Sequence, residues 1–266
     1  MDFYLCPIAS GSSGNCTYLH ADNERLLIDI GVSGKRVTEG LNELNIDPHT
    51  IKGILITHEH SDHIKGVGII SRKYNLPIYA TKITWERMLG ENMLGKVAEH
   101  NQIIICKDEP LAFGELIVTP YSIHHDAVDP VGYVFEYRNK KMVLATDMGK
   151  VDRAVVERFY GADGILIEFN HDINMVEVGG YPYPLKQRIL GDQGHLSNEL
   201  AAKVLAHIYH PNLKWAILGH LSNENNMPDL AYLSAKNALM EKNIEIGKDI
   251  EITVAKRHSM TPVHRV

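Results

Sequence analysis

The sequence predicts an α/β fold in which two sheets pack together with helices on their outer faces. Three observations carry that expectation. Short apolar runs bounded by turn formers dominate the first third of the chain, and farther on such runs alternate with segments of helical periodicity. A cluster of metal-binding residue types stands just beyond one apolar run and before a helix start, where open sheets place their chemistry.

Taken in order, residues 4–9 and 17–20 are expected strands, joined by Ser10-Gly-Ser-Ser-Gly-Asn15, a loop dense in turn formers. Residues 25–29 form a third strand and 34–44 a helix. The apolar run 53–56 reads as a buried strand, 66–74 as a helix and 76–80 as the next strand. Strands are expected at 103–106 and 115–119, then a hairpin of 131–137 and 141–145 turning across Arg138-Asn-Lys140. Residues 151–160 read as a helix, with strands at 164–169 and 215–218. Ser197 is a good N-cap with Glu199 in the first turn, and Leu200, Val204 and Ile208 repeat at i, i+4 as its apolar face. Pro228 suits a first helical turn, followed by a stripe of Leu230, Leu233 and Met240. Residues 251–254 read as a last strand. There is no internal repeat, low-complexity tract or linker, so residues 1–266 are expected to be one domain.

The densest chemical signal is Thr57-His-Glu-His60-Ser-Asp-His63, which places His58, His60, Asp62 and His63 within six residues. Two imidazoles at i, i+2 suit one metal ion, and the adjacent carboxylate and third imidazole suit a second. Such a pair, about 3.5–4 Å apart, shares a bridging hydroxide and clamps both oxygens of a displacement. Four ligands do not dress two ions, and each further candidate follows an expected strand: His124 or His125, Asp147 and His220. A carboxylate such as Asp147 is the natural bridge between two metals. Ligation by nitrogen and oxygen alone suits Zn²⁺, and also Mn²⁺ or Fe²⁺.

Composition sets the frame. A chain of 266 residues, 44% hydrophobic and 23% charged, suits a globular domain with a substantial core. The start lacks the pattern of a signal peptide, and no apolar window approaches a membrane span, so a cytoplasmic protein is expected. Cys6, Cys16 and Cys106 have no C-x-x-C spacing and read as small core hydrophobes. A net charge of −6 gives no support to nucleic-acid binding. Two divalent ions would add positive charge locally, however, and cations cluster at Lys35-Arg36, Arg138 with Lys140-Lys141, Lys186 with Arg188, and Lys256-Arg257.

The order H-x-H-x-D-H, then His125, Asp147 and His220, resembles the metallo-β-lactamase fold superfamily, an αββα four-layer sandwich, over nearly the whole chain. The segments Ala9-Ser-Gly-Ser-Ser-Gly-Asn15, Thr57-His-Glu-His-Ser-Asp-His-Ile-Lys-Gly66, Ile167-Glu-Phe-Asn-His-Asp172 and Gly194-His-Leu-Ser-Asn198 are similar to its bacterial YycJ/WalJ branch, regarded as DNA exonucleases acting from the 5′ end. The resemblance implies that His58, His60 and His125 hold one ion, that Asp62, His63 and His220 hold the other, and that Asp147 bridges. It prefers His125 to His124 because the branch's His-Asp-Ala segment matches His125-Asp126-Ala127. His63 stands where metallo-β-lactamases usually carry another residue, and their later cysteine ligand is absent. The interval from Asp147 to His220 is too short for the inserted domain of β-CASP nucleases.

His195 and Glu168 resemble the His and Glu that related RNA-processing phosphodiesterases place beside the metals, with structural roles for both as the alternative. His171 reads either as a partner to a ligand or as a substrate contact. The expected activity is that of a two-metal phosphodiesterase, a 5′-to-3′ DNA exonuclease, with Asp62 orienting the attacking water and His195 the general acid. A thioester or lactone hydrolase of the glyoxalase II type is the alternative. It would need a C-terminal helical region, where this chain has a strand and a basic tail.

Overall fold

The computed structural model describes residues 2–266. The strands are β1 (Phe3–Ala9), β2 (Cys16–Ala21), β3 (Glu24–Ile28), β4 (Gly53–Leu55), β5 (Ile78–Thr81), β6 (Gln102–Ile105), β7 (Leu111–Phe113), β8 (Leu116–Ser122), β9 (Val131–Tyr137), β10 (Lys140–Ala145), β11 (Gly164–Glu168), β12 (Trp215–Gly219), β13 (Glu251–Val254) and β14 (His264–Arg265). The helices are α1 (Gly34–Glu43), α2 (Ser61–Ile64), α3 (Val67–Tyr74), α4 (Lys82–Gly90), α5 (Arg153–Phe159), α6 (Ile173–Val178), α7 (Tyr183–Leu190), α8 (Asn198–Ile208) and α9 (Pro228–Met240). The chain forms two compact units. One takes in the chain through Pro120, with Ala127–Val131 and Lys256–Arg265; the other takes in Tyr121–Asp126, Gly132–Ala255 and Val266.

The first unit holds a mixed sheet of order β14-β1-β2-β3-β4-β5-β6. β1, β2 and β3 run antiparallel, whereas β3 to β6 pair in parallel, with α1, α2 and α3, and α4 in the crossovers. Every residue of β1 and β2 is buried. The core joins Tyr18, Leu27, Ile54 and Ile78 of the sheet to Val37 and Leu41 of α1, Val67 and Ile70 of α3, and Trp85 and Met88 of α4. Ser33 and Thr81 cap α1 and α4 by accepting from Arg36 N and Thr84 N, satisfying amides that a helix start leaves open.

The second sheet has the order β13-β12-β11-β10-β9-β8-β7. β9 and β10 form the expected hairpin, with Arg138 of its turn at φ 55°. β10, β11, β12 and β13 pair in parallel, so their carboxyl ends lie side by side. The core of the second unit is built from Val143, Ile165, Ile167 and Ala216 of these strands with Val155 and Phe159 of α5, Leu205 and Ile208 of α8, and Ala235 and Leu239 of α9.

Three expectations are corrected. In α8, Leu200 is exposed, and the buried face is Ala201, Ala202, Val204, Leu205 and Ile208. In α9, Leu233 and Met240 are exposed, while Ala231, Ala235 and Leu239 face the core. The physical reason is the packing of α8 against α9, where small alanines let the helices come close while Leu205, Ile208 and Leu239 fill the core beside them. Cys106 is exposed, at the end of an edge strand, whereas Cys6 and Cys16 are core residues as expected. No helix among the described residues is long and apolar enough to cross a membrane.

Candidate metal centre

In the first unit the carboxyl ends of the parallel neighbours β3 and β4 present Asp29 and the run Thr57 to His63. Asp29 has a left-handed backbone, φ 56°, a conformation disfavoured for most residues but visited by Asp, Asn and His. Its amide donates to Leu55 O at 2.9 Å, which ties the two strand ends together. The buried Asp29 carboxylate accepts from Thr57 N at 2.9 Å, from Thr57 Oγ1 at 2.7 Å and from His63 Nδ1 at 2.8 Å. With Nδ1 so occupied, Nε2 is the His63 nitrogen left to face a metal, the usual way a carboxylate orients a ligand histidine. The His58 ring lies 4.1 Å from the His63 ring and 4.6 Å from the His60 ring, centroid to centroid. Asp62 Oδ2 is 3.6 Å from His63 Nε2. The structure thus brings His58, His60, Asp62 and His63 together.

The loop carrying Asn15 closes this corner. Asn15 N donates to Asp62 O at 2.8 Å, and its side-chain amide stands 3.1 Å from His63 Nε2. Gly31 N donates to Asn15 O at 2.7 Å, and a Cβ on Gly31 would fall 1.6 Å from Asp62 O. Only glycine fits that approach, so three backbone segments lock the motif in place.

In the second unit the ends of β10, β11 and β12 supply Asp147, Glu168 and His220. Asp147 and His220 also have left-handed backbones, φ 62° and 54°. Glu168 is fully buried and its two oxygens take four hydrogen bonds. Oε1 accepts from His195 Nδ1 at 2.8 Å and His220 Nδ1 at 2.9 Å, and Oε2 from Met148 N at 2.8 Å and Leu196 N at 3.2 Å. Burial pushes the Glu168 carboxyl up, but the charge and hydrogen bonds of His195 and His220 outweigh it and hold the group well below the usual carboxylate range. His220 Nε2 lies 3.3 Å from Asp147 Oδ1, and Asn170 holds the His220 carbonyl at 2.9 Å. Ligand atoms of Asp147, Glu168, His195 and His220 all lie within 4.8 Å of one another.

His124 and His125 separate clearly. His124 is part-exposed and pairs through Nε2 with Asp152 Oδ2, the N-cap carboxylate of α5, at 2.8 Å. His125 is buried, its Nδ1 donates to Gly194 O at 3.1 Å, and its Nε2 is 3.9 Å from Asp147 Oδ1. Burial lowers the His125 pKa, which keeps its ring in the neutral form that binds metal. His171 is buried with Nδ1 unpartnered, and burial depresses its pKa to about 4. His195 is the part-exposed histidine of the group, with Nδ1 committed to Glu168.

Divalent ions fit this donor set. His63, His125 and His220 each give Nδ1 to an oxygen acceptor, namely Asp29, Gly194 O and Glu168, which leaves Nε2 as the nitrogen able to ligate a metal; in His63 a metal there would displace the Asn15 amide from Nε2. Sequence reasoning missed Asp29 and the Asn15 amide. Their one signal was position: each borders a strand end beside the motif.

Comparison with known proteins gives concordant findings. Residues 24–220 match the beta-lactamase superfamily domain. The chain is 41% identical over 259 residues to "Exodeoxyribonuclease WalJ" of Streptococcus pneumoniae, covering 97% of this chain and 96% of that one. It is 39% identical over 252 residues to "Exodeoxyribonuclease YycJ" of Bacillus anthracis, covering 95% of each. Among solved structures it is similar to the metallo-beta-lactamase fold protein YhfI from Bacillus subtilis, with TM-score 0.70, 16% identity and coverage of 98% of this chain and 99% of that one. It is also similar to Zn²⁺-bound PqqB from Methylobacterium extorquens, with TM-score 0.71, 17% identity and coverage of 97% and 99%. At these identities the structural likeness shows the fold alone.

Proposed function

This chain belongs to the beta-lactamase superfamily, has the metallo-β-lactamase fold and sits in the family of the WalJ and YycJ exodeoxyribonucleases; from that premise we propose that it is a metal-dependent hydrolase that removes nucleotides from the 5′ end of DNA. The observation that carries the reading beyond the family likeness is the pair of buried carboxylates, Asp29 and Glu168, that turn histidines toward metal.

The ligand set follows from the family order of residues. His58, His60 and His125 would hold one divalent ion, and Asp62, His63 and His220 the other, with Asp147 the carboxylate shared between them. The ions are Zn²⁺, Mn²⁺ or Fe²⁺, since all donors are nitrogen or oxygen. When bound, they polarise a phosphodiester and lower the pKa of a water to near neutrality.

The chain's own residues do the rest. Asp62, beside His63, would orient the attacking water. His195, its Nδ1 held by Glu168, carries its mobile proton on Nε2 and donates it to the departing alkoxide oxygen, help worth about 10²–10⁴-fold. Glu168 acts through His195 and His220 as a positioning residue, because all four of its strong acceptor directions are taken by protein donors. The test is hydrolysis of 5′-labelled DNA beside bis-p-nitrophenyl phosphate and lactoyl-glutathione, with metal content measured on the same samples. Release of mononucleotides from the 5′ end is the expected result. DNA left intact while the thioester is cleaved refutes the reading.

A further inference from the structure

Beside the histidine motif, and within the first unit, lies a cavity of about 270 Å³ lined by three cations, Arg36, Lys65 and Arg257. Arg36, Lys65, Arg257 and His258 contribute to its wall with Ser13 and Ser33, and no carboxylate lines it. This is a local property, since the chain as a whole carries a net charge of −6. Arg36 and Arg257, one from each of the clusters Lys35-Arg36 and Lys256-Arg257, meet there although they are more than two hundred residues apart.

The cations differ in how they are held. Arg36 is fixed by Glu43 at 3.2 Å and Ile8 O at 3.0 Å, and its Nε is buried with no hydrogen-bond partner. Arg257 is half-buried and donates to the hydroxyls of Ser12 and Ser13, both at 3.4 Å, long contacts that a stronger acceptor would displace. Lys65 is exposed and makes no ion pair among the described residues. Ser33 caps α1 here, so the positive end of that helix dipole opens on the same space. Arg36 is already paired with Glu43, but no carboxylate lines the cavity itself, so an anion there would meet Arg36, Lys65 and Arg257 from its walls.

The cavity also has an address. Gly31 in its wall is hydrogen-bonded to Asn15, which is bonded in turn to the Asp62 backbone, and Lys65 follows directly on α2, which carries Asp62 and His63. We propose that this cavity is a phosphate site that holds a non-scissile phosphate of the nucleic-acid strand, next to the one being cut. The assignment rests on the nuclease reading above. Bidentate guanidinium groups and a flexible ammonium are the donors suited to phosphate oxygens, and a strand phosphate fixed there sets which bond faces the metal ligands.

The experiment measures binding of a fluorescein-labelled single-stranded oligonucleotide to metal-free protein over a series of KCl concentrations, and KM on the same DNA with metal restored. Arg257→Gln and Lys65→Gln are each expected to weaken binding to all sequences alike and to flatten the log K against log salt slope by about 0.7, the single-strand value for one phosphate contact. Arg257→Lys should keep the slope. KM on DNA should rise in both Gln variants, with a smaller change on bis-p-nitrophenyl phosphate, which has no second phosphate. Circular dichroism checks that each variant is folded, and the exposed Lys65 supplies a substitution that leaves the core untouched. Wild-type protein that cuts DNA while both folded variants keep its slope and KM overturns the phosphate site alone. Wild-type protein that neither binds nor cuts DNA overturns the nuclease reading, and the site with it.

Discussion

Replacing Glu168 by Gln is the sharpest perturbation available, because it keeps the shape of a fully buried side chain and removes only its charge and half its acceptor capacity. Native Glu168 accepts four hydrogen bonds, two on each oxygen. A glutamine has one oxygen, so either arrangement sets an NH₂ group against two donors. If the NH₂ faces Met148 N and Leu196 N, two buried amides lose their acceptor, at about 1–3 kcal/mol each, or about 2–6 kcal/mol in all. If it faces the rings instead, His195 and His220 must switch tautomer and put their protons on Nε2. His220 then no longer offers Nε2 to a metal. The expected result is one of two readable losses: a lower urea midpoint in the metal-free protein, or metal affinity weakened about 10–100-fold by the lost orienting partner. The charge has a pH signature as well. The folded pKa of Glu168 lies below its ordinary value of 4.5, so its stabilisation is fully present above that value and is lost as pH falls from there toward the folded pKa. Acid unfolding of the Gln variant should therefore be less steep below pH 4.5 than that of the wild type. Urea melts at pH 7 and pH 4 with elemental analysis test this. A variant within 1 kcal/mol of wild type that keeps full metal content refutes the reasoning.

Three other outcomes are expected. His195→Ala should retain metal and lose about 100-fold in turnover on DNA but much less on a p-nitrophenyl diester, whose leaving group needs no proton; equal losses on both would make His195 structural. His58→Ala should lower metal content and abolish turnover with the circular dichroism spectrum unchanged, because the residue sits beyond β4 rather than in the core cluster. Asp29→Asn should leave His63 without its carboxylate acceptor and cost about 10–100-fold in affinity for the ion that His63 binds, read by competition with a chelator; unchanged affinity would show that Thr57 alone orients the ring.

The sequence by itself determined most of the strands (β7 and β14 were not expected), the hairpin, the Ser197 cap and the placing of the histidine motif at a strand end, because each is written in neighbouring residues. Period-2 and period-3.6 patterns, turn formers and caps act over a few positions, and four metal-binding residue types within six positions need no tertiary knowledge to be noticed. Four matters waited for the tertiary structure. Which stripe of α8 and α9 is buried was decided by their mutual packing, where Ala231 and Ala235 outrank the larger Leu233 and Met240. Whether His124 or His125 turns inward was decided by Asp152 and Gly194 O, acceptors 28 and 69 residues away. Asp29 looks like an ordinary strand-end acid in one dimension, and Glu168 stands out only through the family resemblance; the chain's return is what brings His63, His195 and His220 to their oxygens. The cationic cavity joins Arg36 and Lys65 to Arg257 across the length of the chain. Local pattern sets where elements and motifs begin, but the hydrogen bonds and charge pairs that orient a site are made between residues far apart in sequence, and only folding chooses them.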